Sequence, residues 1–510
     1  MHHYIRTKTS ICQYLLFFAI FLVYLYIASP YTSPSNPYYN CDSSIFYTIG
    51  NGINAGLIPY KDLFDHKGPL LFFIYSWGTS IISGKLGVFV LQSLCGACSL
   101  LFLFKLSRLF LNVKWTVAII GILLFVMPAS IGEGALSEEW SLPFAILPLY
   151  YLSKSTIENK EQSLWFWLSL GVCLMLIALI RINNAPVVIA IFVYLTLSFL
   201  YQKRFRSLLI SYIFFIAGMI VALLPFLIYF IRKDAIMDFV DGNFIHNFQY
   251  AIHGTSTKTG EFWITFAGKT IAVVVLCLLG YLNVKKNRVP VSIYRLYSLV
   301  GLISTVALIP GNGYPHYYMT FLPTICLALI FICISASHLR GIKAFTSSCC
   351  GSLVVAFFYI SGSVSQLLCG CICICFPGHP TKHQLQIECM EKFSKIIPVE
   401  EKNSLIVLDT LPYAYLYMNI SPSFNFFTLQ NAHAIVKPEI SEAIYSLFCG
   451  NNAPKWVIMK YCPESISNEL SQIKHPGLKD ILVCNYERVS HGEVRMNRND
   501  TNFSLYRRKN

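Results

Sequence analysis

Residues 62 to 78 read DLFDHKGPLLFFIYSWG: two aspartates, a histidine and a lysine stand directly before an apolar run of about a dozen residues. That run is too short to cross a hydrocarbon core of ~30 Å, which takes about 20 apolar residues in a helix. Its surroundings are strongly apolar. Of 510 residues, 55% are hydrophobic, 15% aromatic and only 13% charged. The mean hydropathy is +0.56, well above that of a soluble globular chain. Repeated apolar blocks long enough to span a bilayer make the chain a polytopic α-helical membrane protein. Lys and Arg exceed Asp and Glu by 39 to 25, an excess that cytoplasmic loops of a membrane protein explain without any nucleic-acid partner. Many of the 18 cysteines lie inside apolar runs. There they act as small hydrophobes, so neither a disulfide framework nor a zinc cluster follows.

About eleven spans are expected by length and apolarity: 11–30, 87–107, 115–131, 139–153, 163–180, 185–201, 207–231, 263–283, 290–310, 317–337 and 348–376. The first follows a basic start (Arg6, Lys8) and reads as a retained helix. Leaving 69–84 out of the membrane puts every basic cluster of the short loops on one side. These are Lys105, Arg108 and Lys114; Lys154 and Lys160; Lys203, Arg204 and Arg206; Lys285, Lys286 and Arg288; Arg340 and Lys343. That is the positive-inside pattern, with a cytoplasmic N-terminus. Segment 69–84 then becomes a helix lying at the outer interface, inside a long extracytoplasmic loop, 31–86.

The same threading collects the unusual polar residues on the opposite face. Asp42, Asp65, His66 and Lys67 fall in the first outer loop; Glu133, Glu138 and Glu139 in the second. Arg181, Asn183 and Asn184 end the fifth span, His246 and His253 lie in a later loop, and His316 opens the tenth span. Ionisable groups at membrane depth are costly and usually line a functional cavity. Beyond residue 376 the composition turns mixed. Strand-like runs at 404–409, 455–460 and 480–486 alternate with amphipathic pieces near 384–397 and 438–448, which predicts a small extracytoplasmic α/β domain over 377–510 beside a transmembrane module over 1–376.

An acidic residue after the first span, Asp42 in YYNCDSSIFYTIGNGINAGLIPYKDLF, is followed by G-x-x-P-Y and then D-H-K-G-P-L. This order resembles membrane glycosyltransferases of the GT-C fold, including protein O-mannosyltransferases and lipid A aminoarabinose transferases, and is most similar to the bacterial RgtA/B/C/D-like branch. The resemblance implies a donor sugar carried on a polyprenyl phosphate and a reaction on the outer face of a bacterial inner membrane. It also implies Asp42 as catalytic base and Lys67 near the carrier phosphate. His66 stands where one branch has a glutamate implicated in metal contact and where mannosyltransferases carry histidine. A divalent metal is therefore the candidate cofactor, with His66 its candidate ligand.

The residues themselves suit that chemistry. Transfer from a sugar phosphate needs a base for the acceptor hydroxyl, fixed cations for the departing phosphate and a surface for the lipid. Asp42 can supply the first; Lys67, Arg181 and His316 the second, with Glu138 and Glu139 on the same face; helix 69–84 part of the third. Attack opposite the phosphate would invert the anomeric centre. Plainer roles compete: an N-cap for Asp42, interfacial anchoring for Lys67, a helix end for Arg181, a favourable helix start for Glu138 and Glu139, and a turn for Asp62 and Asp65. The acceptor is a glycan, lipid or protein hydroxyl. A surface polysaccharide ligase or polymerase, and a lipid-linked sugar transporter or flippase, are the alternatives; repeated halves expected of a transporter are not seen.

Overall fold

The computed structural model describes residues 11–29, 32–34, 36–39, 41–131, 134–253, 260–309, 314–338, 363–365, 367–368, 371, 382–410, 412–461, 475–492 and 502–509. It is an α-helical membrane protein with a small sheet near its C-terminus. The expected spans up to 317–337 are all helical, and 348–376 lies almost wholly outside the described residues. Among the described residues, six helical stretches are long and apolar enough to cross a bilayer: Ile11–Ala28 (α1), Leu86–Arg108 (α4), Leu164–Asn184, Phe205–Arg232, Phe266–Lys285 and Pro315–Ser337. Val113–Val126 (α5), Pro186–Tyr201 and Val291–Ala307 are apolar but shorter. In lipid, only internally bonded backbone survives, so long apolar runs have little choice but helix. Local signals set the ends: Asn112 caps α5 by accepting from the Trp115 amide, and Ser163 caps the next helix by accepting from Phe166.

The chain forms two compact units. The first holds residues 1–33, 89–228 and 254–374. Its helices bury a continuous apolar core, and one crossing is made without side chains. A Cβ added to Gly171 would lie 1.9 Å from the Phe215 carbonyl oxygen; one added to Gly218 would lie 2.0 Å from that of Leu168. Backbone meets backbone there, the usual way membrane helices approach when apolar lipid supplies no hydrophobic drive.

The second unit holds 34–88, 229–253 and 375–510. Helices Cys41–Asn54 (α2) and Pro69–Ile81 (α3) pack along their length. Phe46 meets Phe72 with ring centroids 6.4 Å apart. A Cβ on Gly50 would lie 2.8 Å from the Ser76 nitrogen, and Ser80 Oγ donates to Asn54 Oδ1 at 2.9 Å. The offset between these partners is a constant 26 positions, so the helices run parallel. The α3 helix of the interfacial expectation thus forms, ending at Ile81.

In the tail, strands β1 (Leu405–Leu408), β2 (Trp456–Tyr461), β3 (Tyr486–Gly492) and β4 (Asn502–Arg508) form one sheet ordered β1-β2-β4-β3. β1 and β2 are parallel; β4 pairs antiparallel with β2 and β3. The expected strands at 404–409 and 455–460 appear as β1 and β2, and the amphipathic pieces as helices Lys382–Ile396 and Glu439–Cys449. The expected strand at 480–486 is a correction: Pro476–Asn485 is a helix. Pro476 fits its first turn, the His475 side chain caps it from Leu478, and Leu478 and Leu482 bury one face four residues apart. Only after Asn485 does the chain extend into β3.

Substituting Gly171 by Val should force the two backbones apart and lower stability by about 1–3 kcal/mol. A thermal-unfolding midpoint in detergent unchanged from that of the native chain would contradict the close crossing.

Candidate active site

The parallel pairing of α2 and α3 has a direct chemical consequence. Carried one turn toward the N-termini, the 26-residue offset sets Asp42 level with Gly68, beside Lys67. Asp42 stands in the first turn of α2 and is partly exposed. Lys67 Nζ lies 5.9 Å from the centroid of Phe46, and Phe46 shares a helix face with Asp42, four residues away. The two residues expected to carry base and cation are thus held on one side of α2.

The loop between the helices is tightly fixed. Asp62 closes a turn by accepting from the Ile58 amide at 2.8 Å, as its turn role predicts. Tyr60 is buried and adopts φ +70°, a left-handed conformation uncommon outside glycine. Its hydroxyl donates to the Lys67 carbonyl at 2.7 Å, and the Phe64 amide donates to the Asn425 carbonyl at 3.0 Å. Gly242, where a Cβ would fall 2.3 Å from Tyr60 Cδ1, leaves room for that ring. It belongs to a π-helical turn, Asp241–Ile245, that immediately precedes His246. Single π turns inside α-helices often mark functional positions.

Asp65, His66 and Lys67 form a string of polar contacts. Lys67 Nζ lies 3.1 Å from His66 Nε2, and His66 Nδ1 lies 3.3 Å from Asp65 Oδ1. The Lys67 amide also donates to Asp65 Oδ2 at 3.4 Å. Asp65 is more than the turn residue expected of it. Burial alone would push its carboxyl up, but the Lys67 ammonium and the neighbouring imidazoles outweigh burial and hold it well below the usual carboxylate range. Around His66 stand two further imidazoles, His246 and His433, each in ring contact with it and with one another. One nitrogen from each of the three lies within 4.8 Å of the other two. His246 and His433 are buried, and among the described residues neither His246 nitrogen nor His433 Nε2 has a hydrogen-bond partner. Burial pushes all three imidazoles down, His66 and His246 to about 4 and His433 to about 3, with Lys67 adding to the effect on His66. They are neutral at pH 7 and offer lone pairs.

His433 comes from the tail helix Gln430–Val436, and no local pattern marked it. Only the fold brings a residue 367 positions away to His66, so sequence order carried no signal for it. Tyr60 was visible only as the tyrosine of G-x-x-P-Y. His253 was expected in the same loop as His246; its side chain lies outside the described residues, as does Glu133.

A second cluster forms in the first unit. Arg181 Nη1 donates to Glu138 Oε1 at 2.8 Å, both side chains nearly inaccessible to solvent. The guanidinium lies 4.5 Å from the centroid of the Tyr317 ring, against which His316 packs edge-on at 4.7 Å. Ser137 Oγ donates to Glu138 Oε2 at 3.0 Å, and Asn184 to Ser141 Oγ at 3.0 Å. Glu139 instead accepts from Gln92 at 2.7 Å and from the Leu136 amide at 3.2 Å, closing the helix start. Glu138 and Arg181 thus pair, His316 reaches them through the adjacent Tyr317 ring, and Glu139 has the helix-start role weighed for it.

A profile of the competence-induced protein Ccs4 N-terminal domain family matches residues 1–349. The chain belongs to that family. No curated protein matches its sequence. Among solved structures, it is similar to ArnT from Cupriavidus metallidurans bound to undecaprenyl phosphate, with TM-score 0.61 and 12% identity over 98% of each chain. The apo state of that protein gives TM-score 0.57 and 12% identity, covering 96% of this chain and 97% of that one. The archaeal oligosaccharyltransferase AglB from Archaeoglobus fulgidus, in complex with an inhibitory peptide and a dolichol-phosphate, gives TM-score 0.51 and 10% identity. That match covers 88% of this chain and 69% of AglB. At such identities the likeness establishes the fold, and the fold is GT-C.

Two outcomes follow from the site. In metal-free protein, the unfolded chain binds protons at its three histidines near pH 6.5 while the folded chain resists until about pH 4 or below. Stability therefore drops as pH falls from about 6.5 to about 4, and a His433→Phe variant should show a shallower drop. An unfolding midpoint flat between pH 7 and 5 would contradict the buried neutral triad. For the ion pair, Arg181→Met strands a buried carboxylate and should cost about 3–5 kcal/mol, with Arg181→Met/Glu138→Leu restoring part of the loss. A double variant no more stable than the single one would refute the pairing.

Proposed function

We propose that the chain is an inverting glycosyltransferase that moves a sugar from a polyprenyl-phosphate carrier to an acceptor hydroxyl on a glycan, lipid or protein. The observation that supports this reading is the parallel α2/α3 pair, whose 26-residue offset brings Asp42 level with Gly68, the residue after Lys67, while Lys67 Nζ lies 5.9 Å from the centroid of Phe46 one turn along α2. A base and a phosphate-binding cation side by side are what transfer from a sugar phosphate requires. The GT-C likeness supports it, since ArnT is seen with undecaprenyl phosphate and AglB with dolichol-phosphate. In this reading the tail 377–510 is a domain facing outward with loop 31–86, the N-terminus is cytoplasmic, and the membrane is the bacterial inner membrane.

The chemistry assigns each group one task. Asp42 accepts the proton of the acceptor hydroxyl as its oxygen attacks the anomeric carbon. Lys67 holds the carrier phosphate as a point charge. A cation held at the phosphate meets the charge that develops on it as the sugar departs. Apolar residues of α3 guide the lipid. The three neutral imidazoles of His66, His246 and His433 fit a divalent metal, since one nitrogen of each lies within 4.8 Å of the others, and both nitrogens of His246 and Nε2 of His433 are buried without hydrogen-bond partners among the described residues. Bound there, a metal would supply further positive charge to the phosphate.

Membranes carrying the full chain, given a labelled polyprenyl-phosphate sugar, should pass label to an acceptor fraction. Asp42→Asn should reduce that transfer by about 10²- to 10⁴-fold without loss of folded protein. Normal transfer by the variant would overturn the base. Movement of intact lipid across vesicles without any transfer would replace the enzyme with a flippase, and transfer of preassembled polymer would favour a ligase.

A further inference from the structure

The Lys67–His66 contact has a consequence for the metal reading proposed above, on which this inference rests. An ammonium has only donors, so in the 3.1 Å contact Lys67 Nζ donates and His66 Nε2 accepts. The single ring proton of neutral His66 is then on Nδ1, which faces Asp65 Oδ1 at 3.3 Å. A carboxylate on one nitrogen and a free lone pair on the other is the arrangement that prepares histidine to bind a metal. Here a cation of this chain already sits on that lone pair.

We infer that a divalent cation at His66, His246 and His433 and the Lys67–His66 hydrogen bond exclude one another, so that loading the cation releases the Lys67 ammonium toward the carrier phosphate. The exclusion holds whichever nitrogen of His66 is used. If the cation takes Nε2, it occupies the lone pair that Lys67 now uses. If it takes Nδ1, the ring proton moves to Nε2 and confronts the ammonium with a second donor. Once released, the ammonium remains on the face of α2 that carries Phe46 and Asp42, beside the backbone that the Tyr60 hydroxyl fixes. Cation and phosphate then favour each other's binding, and linkage makes the effect reciprocal.

The test uses the full chain in detergent, titrated with Co²⁺, whose visible bands distinguish imidazole from thiolate ligands, and separately with a polyprenyl phosphate. Lys67→Met should bind Co²⁺ about tenfold more tightly than the native chain, a typical coupling between linked sites. Native protein should bind the lipid phosphate more tightly with Co²⁺ present, whereas Lys67→Met should show no such gain. Lys67→Gln, shorter and uncharged, gives the same reading if the methionine variant does not fold. His246→Ala should weaken Co²⁺ binding in every background. If it does not, the metal site itself is overturned and this inference with it. If His246→Ala weakens Co²⁺ but Lys67→Met or Gln does not tighten it, the metal site stands and the exclusion is refuted.

Discussion

The constant 26-residue offset between α2 and α3 is the constraint from which the site follows. Two helices that follow one another in the chain can pack parallel only if the connection runs back along their whole length. The segment between Asn54 and Pro69 does this, and its last residues therefore return to the level of the first turn of α2. Gly50 makes the approach possible, because any side chain there would meet the α3 backbone. Asn54 then locks the far end, bonding Ser76, Thr79 and Ser80 together. Slipping the pair by one turn would break each of these contacts at once. The level of Asp42 against Gly68, the residue after Lys67, is thus set by the helix packing.

Buried charge is handled differently in the two clusters. Arg181 and Glu138 pay for one another directly, through a short hydrogen bond in an apolar setting. Around Asp65 the balance is distributed: one carboxylate faces one ammonium, and the three imidazoles stay neutral because burial denies them protons. Neutral imidazoles add no charge to the interior, yet leave lone pairs that a cation can use. The first cluster is therefore self-contained, while the second retains capacity for a ligand. Lys85 shows the same economy at the other end of the loop. Buried and pushed down to about 7 by burial, it donates to the carbonyls of Asn36 and Tyr38 and lies over the Tyr39 ring. The Tyr39 amide in turn donates to the Tyr417 hydroxyl at 3.0 Å. These bonds hold the approach to Asp42 from both sides.

Much of this was readable in the residues because local physics decides it. Apolar runs in a bilayer must be helical, so the helices of the expected spans up to 317–337 were legible from their apolarity. Asp42 and Lys67 stand out in the sequence because each sits in a dense local pattern, and Arg181 because an arginine closing an apolar helix needs a reason to be there. The run at 480–486 misled because a short apolar segment satisfies both periods. Leu478 and Leu482 make the helical one, but the cap that decides it lies upstream at His475 and Pro476. His433 was invisible for a different reason. A lone histidine in N-A-H carries no spacing and no motif, and only tertiary packing against Phe64 and His246 makes it part of a site.

Tyr60 shows how the loop keeps Lys67 in place. A left-handed backbone costs a non-glycine residue of order 1 kcal/mol or more, and glycine at this position would remove that cost. It would also remove the ring that packs against Phe72, Phe230 and Phe239 and the hydroxyl that holds the Lys67 carbonyl. The strain is tolerated because aromatic contacts on three sides over-determine the conformation, and Asn425 adds a bond to the Tyr60 carbonyl at 3.3 Å. With its carbonyl so tethered, Lys67 cannot relocate by moving its backbone. Any change of partner must come from the side chain alone, swinging about a fixed Cα between His66 and the face of α2.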